Sequence, residues 1–327
     1  MPPTKFAVLG NPVVDALMHV SAAELAKLNL RKGDTNLLAA ADMFALSARL
    51  EVETFRAGGA GANIAYHLAK LGHPVCFLGP LGDDPAGRHF FSDMLASGLT
   101  LSPQHKGLRT VELFVMVTPD GARTMAQPHP NPPSNEQDWL DASLLANADW
   151  LLVEGYLARD YPQAAMAACA EARAHGANIC LQLPAPAACA EAAASLGALI
   201  EGGLNLLLAN VHEIEALRPH LSAAASAKLE ATPRVITASG EGATFYDDQG
   251  NGTTEPSRTI ATPADNTGAG DAFAAGFLAA YAPGGSPAVA MRRGHHLGAA
   301  VIQQLGARLP DPKAVWLNAD AETNVGI

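Results

Sequence analysis

Asp265-Asn266-Thr267-Gly268-Ala269-Gly270-Asp271-Ala272-Phe273 is the stretch of this 327-residue chain richest in chemistry. It follows a β-like run at 257–261 and Pro263, and it opens an apolar segment, 272–281, that reads as a helix. A strand, a tight turn of small residues and a helix start together make an anion site. The small residues let backbone N–H groups approach closely, and the helix N-terminus adds partial positive charge. Asp271 is out of place in such a site, because a carboxylate repels an anion unless it has a chemical task. The natural task is to accept a proton from a hydroxyl that attacks phosphorus. The plainer reading is a tight loop whose acid stabilises the helix dipole. The rest of the chain decides between them.

The positioning elements follow from hydrophobic period and turn residues. Residues 6–9 form a buried strand ending at Gly10, and Asn11-Pro12-Val13-Val14-Asp15 follows at its C-terminal end, where open α/β sheets place ligands. Asp15 either contacts a ligand or closes a turn. Ser21 and Glu24 cap a short helix over 21–29, and a second helix lies around 42–50. Gly58-Gly59-Ala60-Gly61-Ala62-Asn63 leads into a helix over 64–71 that stops at Gly72. A strand at 75–78 and a helix at 87–97 come next. Runs at 111–118 and 123–127 flank Pro119-Asp120-Gly121-Ala122 and predict a hairpin, and the proline-rich 127–134 is irregular.

From about 138 strands and helices alternate. Strands are expected at 150–153, 178–183, 204–209, 234–238 and 243–246, with more β structure around 253–261. Helices are expected at 162–175, 187–197 and 211–217. Such alternation implies an α/β fold: a mainly parallel sheet with helices on both faces. The early segments break the alternation and predict a small β-sheet over the site. The expectation is one domain, 1–327, with a lid built from about 16–20, 35–57 and 109–130. Strand ends of a parallel sheet share one edge, so Asp15, the 58–63 loop and Asp271 can meet in one cleft.

Bulk properties restrict the partners. Hydrophobic content of 49% with 16% charged residues suits a globular chain with a sizeable core. A net charge of −11 gives nucleic-acid binding no electrostatic support. No apolar run is long enough to cross a membrane. The start, Met1-Pro2-Pro3-Thr4-Lys5-Phe6, carries no secretory signal. Cys76, Cys169, Cys180 and Cys189 form no CxxC pair and have no histidines at metal spacing. They read as buried thiols in a reducing cytoplasm.

Five motifs in order carry a resemblance. The segment 265–271 resembles the C-terminal signature of the ribokinase-like (PfkB) carbohydrate and nucleoside kinases. Gly58–Asn63, then Ala69-Lys70-Leu71-Gly72 and Gly79-Pro80-Leu81-Gly82-Asp83-Asp84-Pro85-Ala86-Gly87, resemble the N-terminal signature. Asn210-Val211-His212-Glu213 looks like the NxxE motif, and Thr237-Ala238-Ser239-Gly240-Glu241-Gly242 like the nucleotide-phosphate loop. The resemblance covers nearly the whole chain. It implies a three-layer α/β/α sandwich with a β-sheet lid, and ATP as phosphoryl donor.

It also implies roles. Asp271 would be the general base, and the N–H groups of Gly268, Ala269 and Gly270 an anion hole for the moving phosphoryl group. Asn11, Asp15, Gly58, Gly59 and Asn63 would hold substrate hydroxyls. Asn210 and Glu213 would order Mg²⁺ through water, although Asn210 with a Glu three residues on is also an ordinary capping box. Thr237, Gly240 and Gly242 would line the ATP phosphates, and the segment ending at Gly298 the adenine. Asp265 and Thr267, with Gly306 opposite, stand where some family members hold a monovalent cation such as K⁺. Residues 10–15, the insertion at 21–34, 154–157 and 302–308 resemble the bacterial adenosine-kinase-like branch. The proline-rich 126–133 departs from its tyrosine-containing lid.

The leading reading is therefore an ATP-dependent kinase for a primary hydroxyl of a nucleoside or sugar, as monomer or homodimer. A sugar kinase and a non-catalytic binding protein of the same fold are the alternatives. A dinucleotide enzyme would need a glycine pattern that Gly10-Asn11-Pro12 lacks.

Overall fold

The structure is a computed structural model that describes residues 3–128, 137–258, 260 and 262–323. Its centre is a nine-stranded sheet. In spatial order the strands are Gly252–Glu255, Ala243–Tyr246, Arg234–Thr237, Leu206–Asn210, Asn178–Gln182, Trp150–Glu154, Phe6–Leu9, Val75–Leu78 and Thr100–Leu101. The first two are antiparallel additions, and the remaining pairs are parallel. This is a ribokinase-like α/β fold.

The central strands are mostly apolar because both faces are covered, whereas the edge strand Gly252–Glu255 is polar and exposed. Phe6 and Val8 pack with Ile64, Leu68, Phe90, Phe273, Phe277 and Met291 on one side. Ala7 and Leu9 pack with Leu157, Ala165, Cys169, Leu196 and Leu217 on the other. Cys169, Cys180 and Cys189 are buried and Cys76 partly so, and burial pushes the thiols of all four up. Among the described residues no helix is long and apolar enough to cross a membrane.

A second sheet has the order Thr35–Leu38, Arg123–Pro128, Val111–Val117, Val13–His19, Thr54–Gly58. Its outer face buries Ala16, Met18, Phe114, Met116 and Ala126 under Leu25, Met43 and Leu46 of the helices Ala22–Lys27 and Ala40–Ser47. Those helices are too short to persist alone and depend on this contact. Alternation along the strands turns Asp15, Leu17, Leu113, Val115, Met125 and Gln127 the other way, toward the central sheet.

The expected second, small sheet is present. The strand Val13–His19 takes in residues 16–19 of the expected lid segment at 16–20 and starts three residues before it. The expected helix 187–197 is two helices, Pro186–Glu191 and Ala193–Glu201, broken at Ala192, whose ψ of 10° leaves the helical range. Residues 257, 258 and 260 are not strand, so the β structure expected over 253–261 ends at Glu255. Thr259 and Ala261, and most of the unusual 126–133 segment, lie outside the described residues.

Candidate active site

Five polar residues or glycines end adjacent strands along one edge of the central sheet. Gly10 follows Leu9, and Glu154, Gln182, Asn210 and Thr237 close the next four strands, with Glu154 paired to Gln182 and Asn210 to Thr237 in register. Helix Ala269–Tyr281 begins above this row and carries Asp271 in its first turn. Its cap is Gly268, with φ +77°, where a Cβ would meet Ala307 at 2.4 Å; only glycine fits. The first-turn N–H groups of such a helix lack intrahelical acceptors. Ala269 N–H reaches Asn266 O at 3.3 Å, a long bond that a phosphate oxygen can outcompete.

Asp271 is held by two side-chain amides. Asn63 Nδ2 donates to its Oδ2 at 2.9 Å, and Gln182 Nε2 to its Oδ1 at 3.3 Å. Burial pushes the carboxyl above its ordinary range, while these two bonds and the charge of Arg308 pull the other way. Asn63 sits in the first turn of helix Ala60–Lys70. Gly59 caps that helix at φ +96°, and a Cβ there would lie 2.5 Å from Asn11 O, so the turn is restricted to glycine. Gly58 borders the Asp15 carboxylate. Burial raises Asp15 to about 6, against the lowering charges of Arg123, Arg308 and Arg56.

Asn11, Asp15, Gly58, Gly59 and Asn63 line one cavity of about 1770 Å³ between the two sheets. Asn11 is only partly free for a ligand: its N–H donates to Glu154 Oε2 at 2.6 Å and its Nδ2 to Asp160 Oδ2 at 2.9 Å. Glu154 is buried, which lifts its carboxyl to about 8.

The other end of the edge is built locally. Asn210 and Glu213 form a reciprocal capping box: Asn210 N–H and Nδ2 donate to Glu213 at 2.8 and 2.7 Å, and Glu213 N–H donates to Asn210 Oδ1 at 2.9 Å. Burial raises Glu213 to about 7, and the charge of Asp271 adds to the rise. Thr237 ends its strand, Gly240 is exposed, and Gly242 closes the turn before the antiparallel strand. None of these lines the cavity.

Two further expected positions have neighbours within the protein. Gly298, expected at the adenine, lies against the Ala269 carbonyl on helix Pro287–Val301. Gly294, one turn earlier, is packed on Phe273. Asp265 and Thr267, expected at a monovalent cation, face a built-in one. Arg123 Nη1 reaches both Asp265 oxygens at 3.0 and 3.1 Å and Thr267 Oγ1 at 2.8 Å. Burial raises Asp265, yet Thr267, Gly306 N–H and Arg123 hold it below the usual range.

Sequence reasoning missed Gln182, Glu154 and Arg308. The first two had a signal: each is a polar residue closing an apolar strand at the ligand edge. Arg308 had none.

A mainly parallel sheet with candidate site residues along one strand-end edge, a glycine-capped helix N-terminus and a second, smaller sheet are the features of a ribokinase-like fold. The chain belongs to the pfkB family of carbohydrate kinases, whose model matches residues 38–314. Its fold matches the adenosine kinase of Sinorhizobium meliloti with 25% identity and a TM-score of 0.81, covering 97% of this chain and 99% of that one. It also matches a probable sugar kinase of Rhizobium etli CFN 42, with 24% identity, a TM-score of 0.83, and coverage of 98% and 99%. A curated relative, the aminoimidazole riboside kinase of Salmonella typhimurium, is 31% identical over 105 residues; the match spans 28% of this chain and 33% of that protein.

Proposed function

We propose that this kinase moves the γ-phosphoryl group of ATP to a primary hydroxyl of a nucleoside of adenosine-like size. The observation that carries the reading is Asp271, held by two amide donors at the start of a glycine-capped helix. The carboxylate accepts the hydroxyl proton as the oxygen attacks phosphorus, and the first-turn N–H groups of the helix stabilise the charge on the transferring group. Gly268, at φ +77° with Ala307 against it, sets the turn from which those N–H groups point. Asp15, ionised above about pH 6, accepts two hydroxyl hydrogen bonds and orients the acceptor.

Mg²⁺ fits the nucleotide end. Glu213 is a carboxylate raised by burial and by a neighbouring acid, and a dication relieves that repulsion. Asn210 and Glu213 would hold it through water, and bound Mg²⁺ would supply charge neutralisation on the phosphates. Thr237 and Gly242 would border those phosphates. At Asp265 and Thr267 we assign the cationic role to Arg123, with which K⁺ would compete.

The lid favours a nucleoside over a free sugar. Register aligns Leu17, Val115 and Met125 in one row and Leu113, Gln127 and Leu37 in the next, on the face that carries Asp15. All six line the cavity. An apolar platform beside a diol-binding acid suits a flat base attached to ribose. The matched proteins, named as adenosine, riboside and sugar kinases, agree with this range.

The test is ADP release from Mg·ATP across adenosine, guanosine, inosine, cytidine, ribose and fructose. Saturable turnover with a nucleoside supports the reading. Turnover with sugars alone moves the specificity and keeps the chemistry. Binding of these ligands without turnover would replace the kinase by a binding protein.

A further inference from the structure

The loop 306–309 joins three parts of the site. Gly306 N–H donates to Asp265 Oδ2 at 3.0 Å, tying it to the glycine turn. Leu309 N–H donates to His67 Nε2 at 3.2 Å, and Leu309 O accepts from the Tyr66 hydroxyl at 3.0 Å. Arg308 lies between these ties. Its Nε donates to Asn63 Oδ1 at 3.0 Å, its Nη1 to Asp93 Oδ2 at 2.8 Å, and its guanidinium lies 5.1 Å from the Tyr66 ring centroid. Asn63, Tyr66 and His67 are spaced i, i+3, i+4, so one helix face grips the loop.

His67 stays an acceptor at neutral pH, since burial lowers it to about 4. Its other nitrogen, Nδ1, faces Asn63 O at 2.8 Å, which places the ring proton there.

Asn63 is the link that matters. A side-chain amide has one acceptor end and one donor end. With Arg308 on Oδ1, the donor end must face Asp271, where it is found at 2.9 Å. A flipped amide would set oxygen against carboxylate at one end and NH₂ against guanidinium at the other. Arg308 Nη2 is buried without a hydrogen-bond partner. A clamp selected for stability alone would satisfy that donor.

We propose that Arg308 is a positioning residue that orients the Asn63 amide and, through it, the carboxylate of Asp271. This rests on Asp271 as the base of the preceding section. The charged groups facing Asp271 are Arg308 from the loop, Glu154 from the central strand and Glu213 from the helix after Asn210. Arg308 is the one cation of the three, so removing it also shifts the titration of the base.

The experiment uses the full chain with an acceptor that the wild type turns over. Arg308→Met keeps the apolar packing on Tyr66 and loses every donor. Arg308→Lys keeps the charge but offers one nitrogen in place of two diverging ones. On the alkaline plateau Arg308→Met is expected to lower kcat at least about tenfold. It moves the acid limb of kcat to higher pH, whereas Arg308→Lys loses kcat with the limb nearly unmoved. In an Asn63→Ala background Arg308→Met should cost less than about twofold in plateau kcat, because the link is already gone.

Equal fractional losses in both backgrounds, or a wild-type pH profile in Arg308→Met, overturn the proposal. If Arg308→Met does not fold, as thermal unfolding would show, wild-type kcat in Arg308→Lys overturns it instead. Turnover surviving in Asp271→Asn defeats the base assignment itself, a distinct result.

Discussion

On the proposed assignment, the two ends of the catalytic edge are held together in opposite ways. At the acceptor end the hydrogen bonds cross great lengths of chain: Asn63 to Asp271, Arg308 to Asn63, Asn11 to Glu154, Arg123 to Asp265. At the nucleotide end the central contact is Asn210 with Glu213, three residues apart, and Gly240 lies exposed. The acceptor end is therefore preorganised by the tertiary fold, while the nucleotide end is a set of strand-end turns that need little beyond their own sequence. The difference suits the chemistry. A hydroxyl must be aimed and its base kept poised, whereas a triphosphate brings charges that local N–H groups and a metal can gather.

That contrast can be broken or sharpened by substitution. The largest effect is expected at its centre: Asp271→Asn should lower kcat by about 10³-fold while nucleotide binding, followed by thermal shift, persists. Normal turnover in that variant would leave the acceptor end without its chemical purpose.

Asp15→Ala should raise the acceptor KM by about ten- to a hundredfold, with a smaller change in the KM for ATP. In the wild type the acceptor KM should climb as pH falls through about 6, where Asp15 takes up a proton and loses acceptor capacity. A change confined to ATP would reverse the assignment of the two ends.

Glu213→Gln should raise the Mg²⁺ concentration for half-maximal activity by about tenfold and leave the acceptor KM in place. Because the capping box is local, its unfolding temperature should change little. A large loss of stability would show that the nucleotide end is also held by the wider fold.

The smallest effect concerns stability. Glu154 titrates near 8 in the folded protein, against 4.5 as its ordinary value. Between those values the native state holds a proton that the unfolded chain releases, so this group's contribution to stability declines as pH rises from about 4.5 to 8. Glu154→Gln should flatten that decline in unfolding temperature. An unchanged slope would locate the decline in the other raised acids, Asp15, Glu213 and Asp271.

Legibility followed the same division. The capping box of Ser21 with Glu24, the glycine stop at Gly72 and the Asn210 box are contacts within a few residues and were readable from spacing. Strands buried on both faces announced themselves as apolar runs. The lid strand at 13–19 was legible only in its second half, because its inner face carries Asp15 and its outer face is covered by helices that the sequence does not tie to it.

By itself the sequence determined which residue types stand at the ends of strands and the starts of helices, because turn geometry and helix polarity are local properties. It named Asp271, Asn63, Asp15 and Glu213 and the kind of chemistry they suit. Only the tertiary structure decided how Asn63 is oriented, that Arg123 occupies the position beside Asp265, that Glu154 is buried and that Arg308 reaches the site at all. Those outcomes depend on the relative position of segments a hundred or more residues apart, and no spacing along the chain encodes a distance across a sheet.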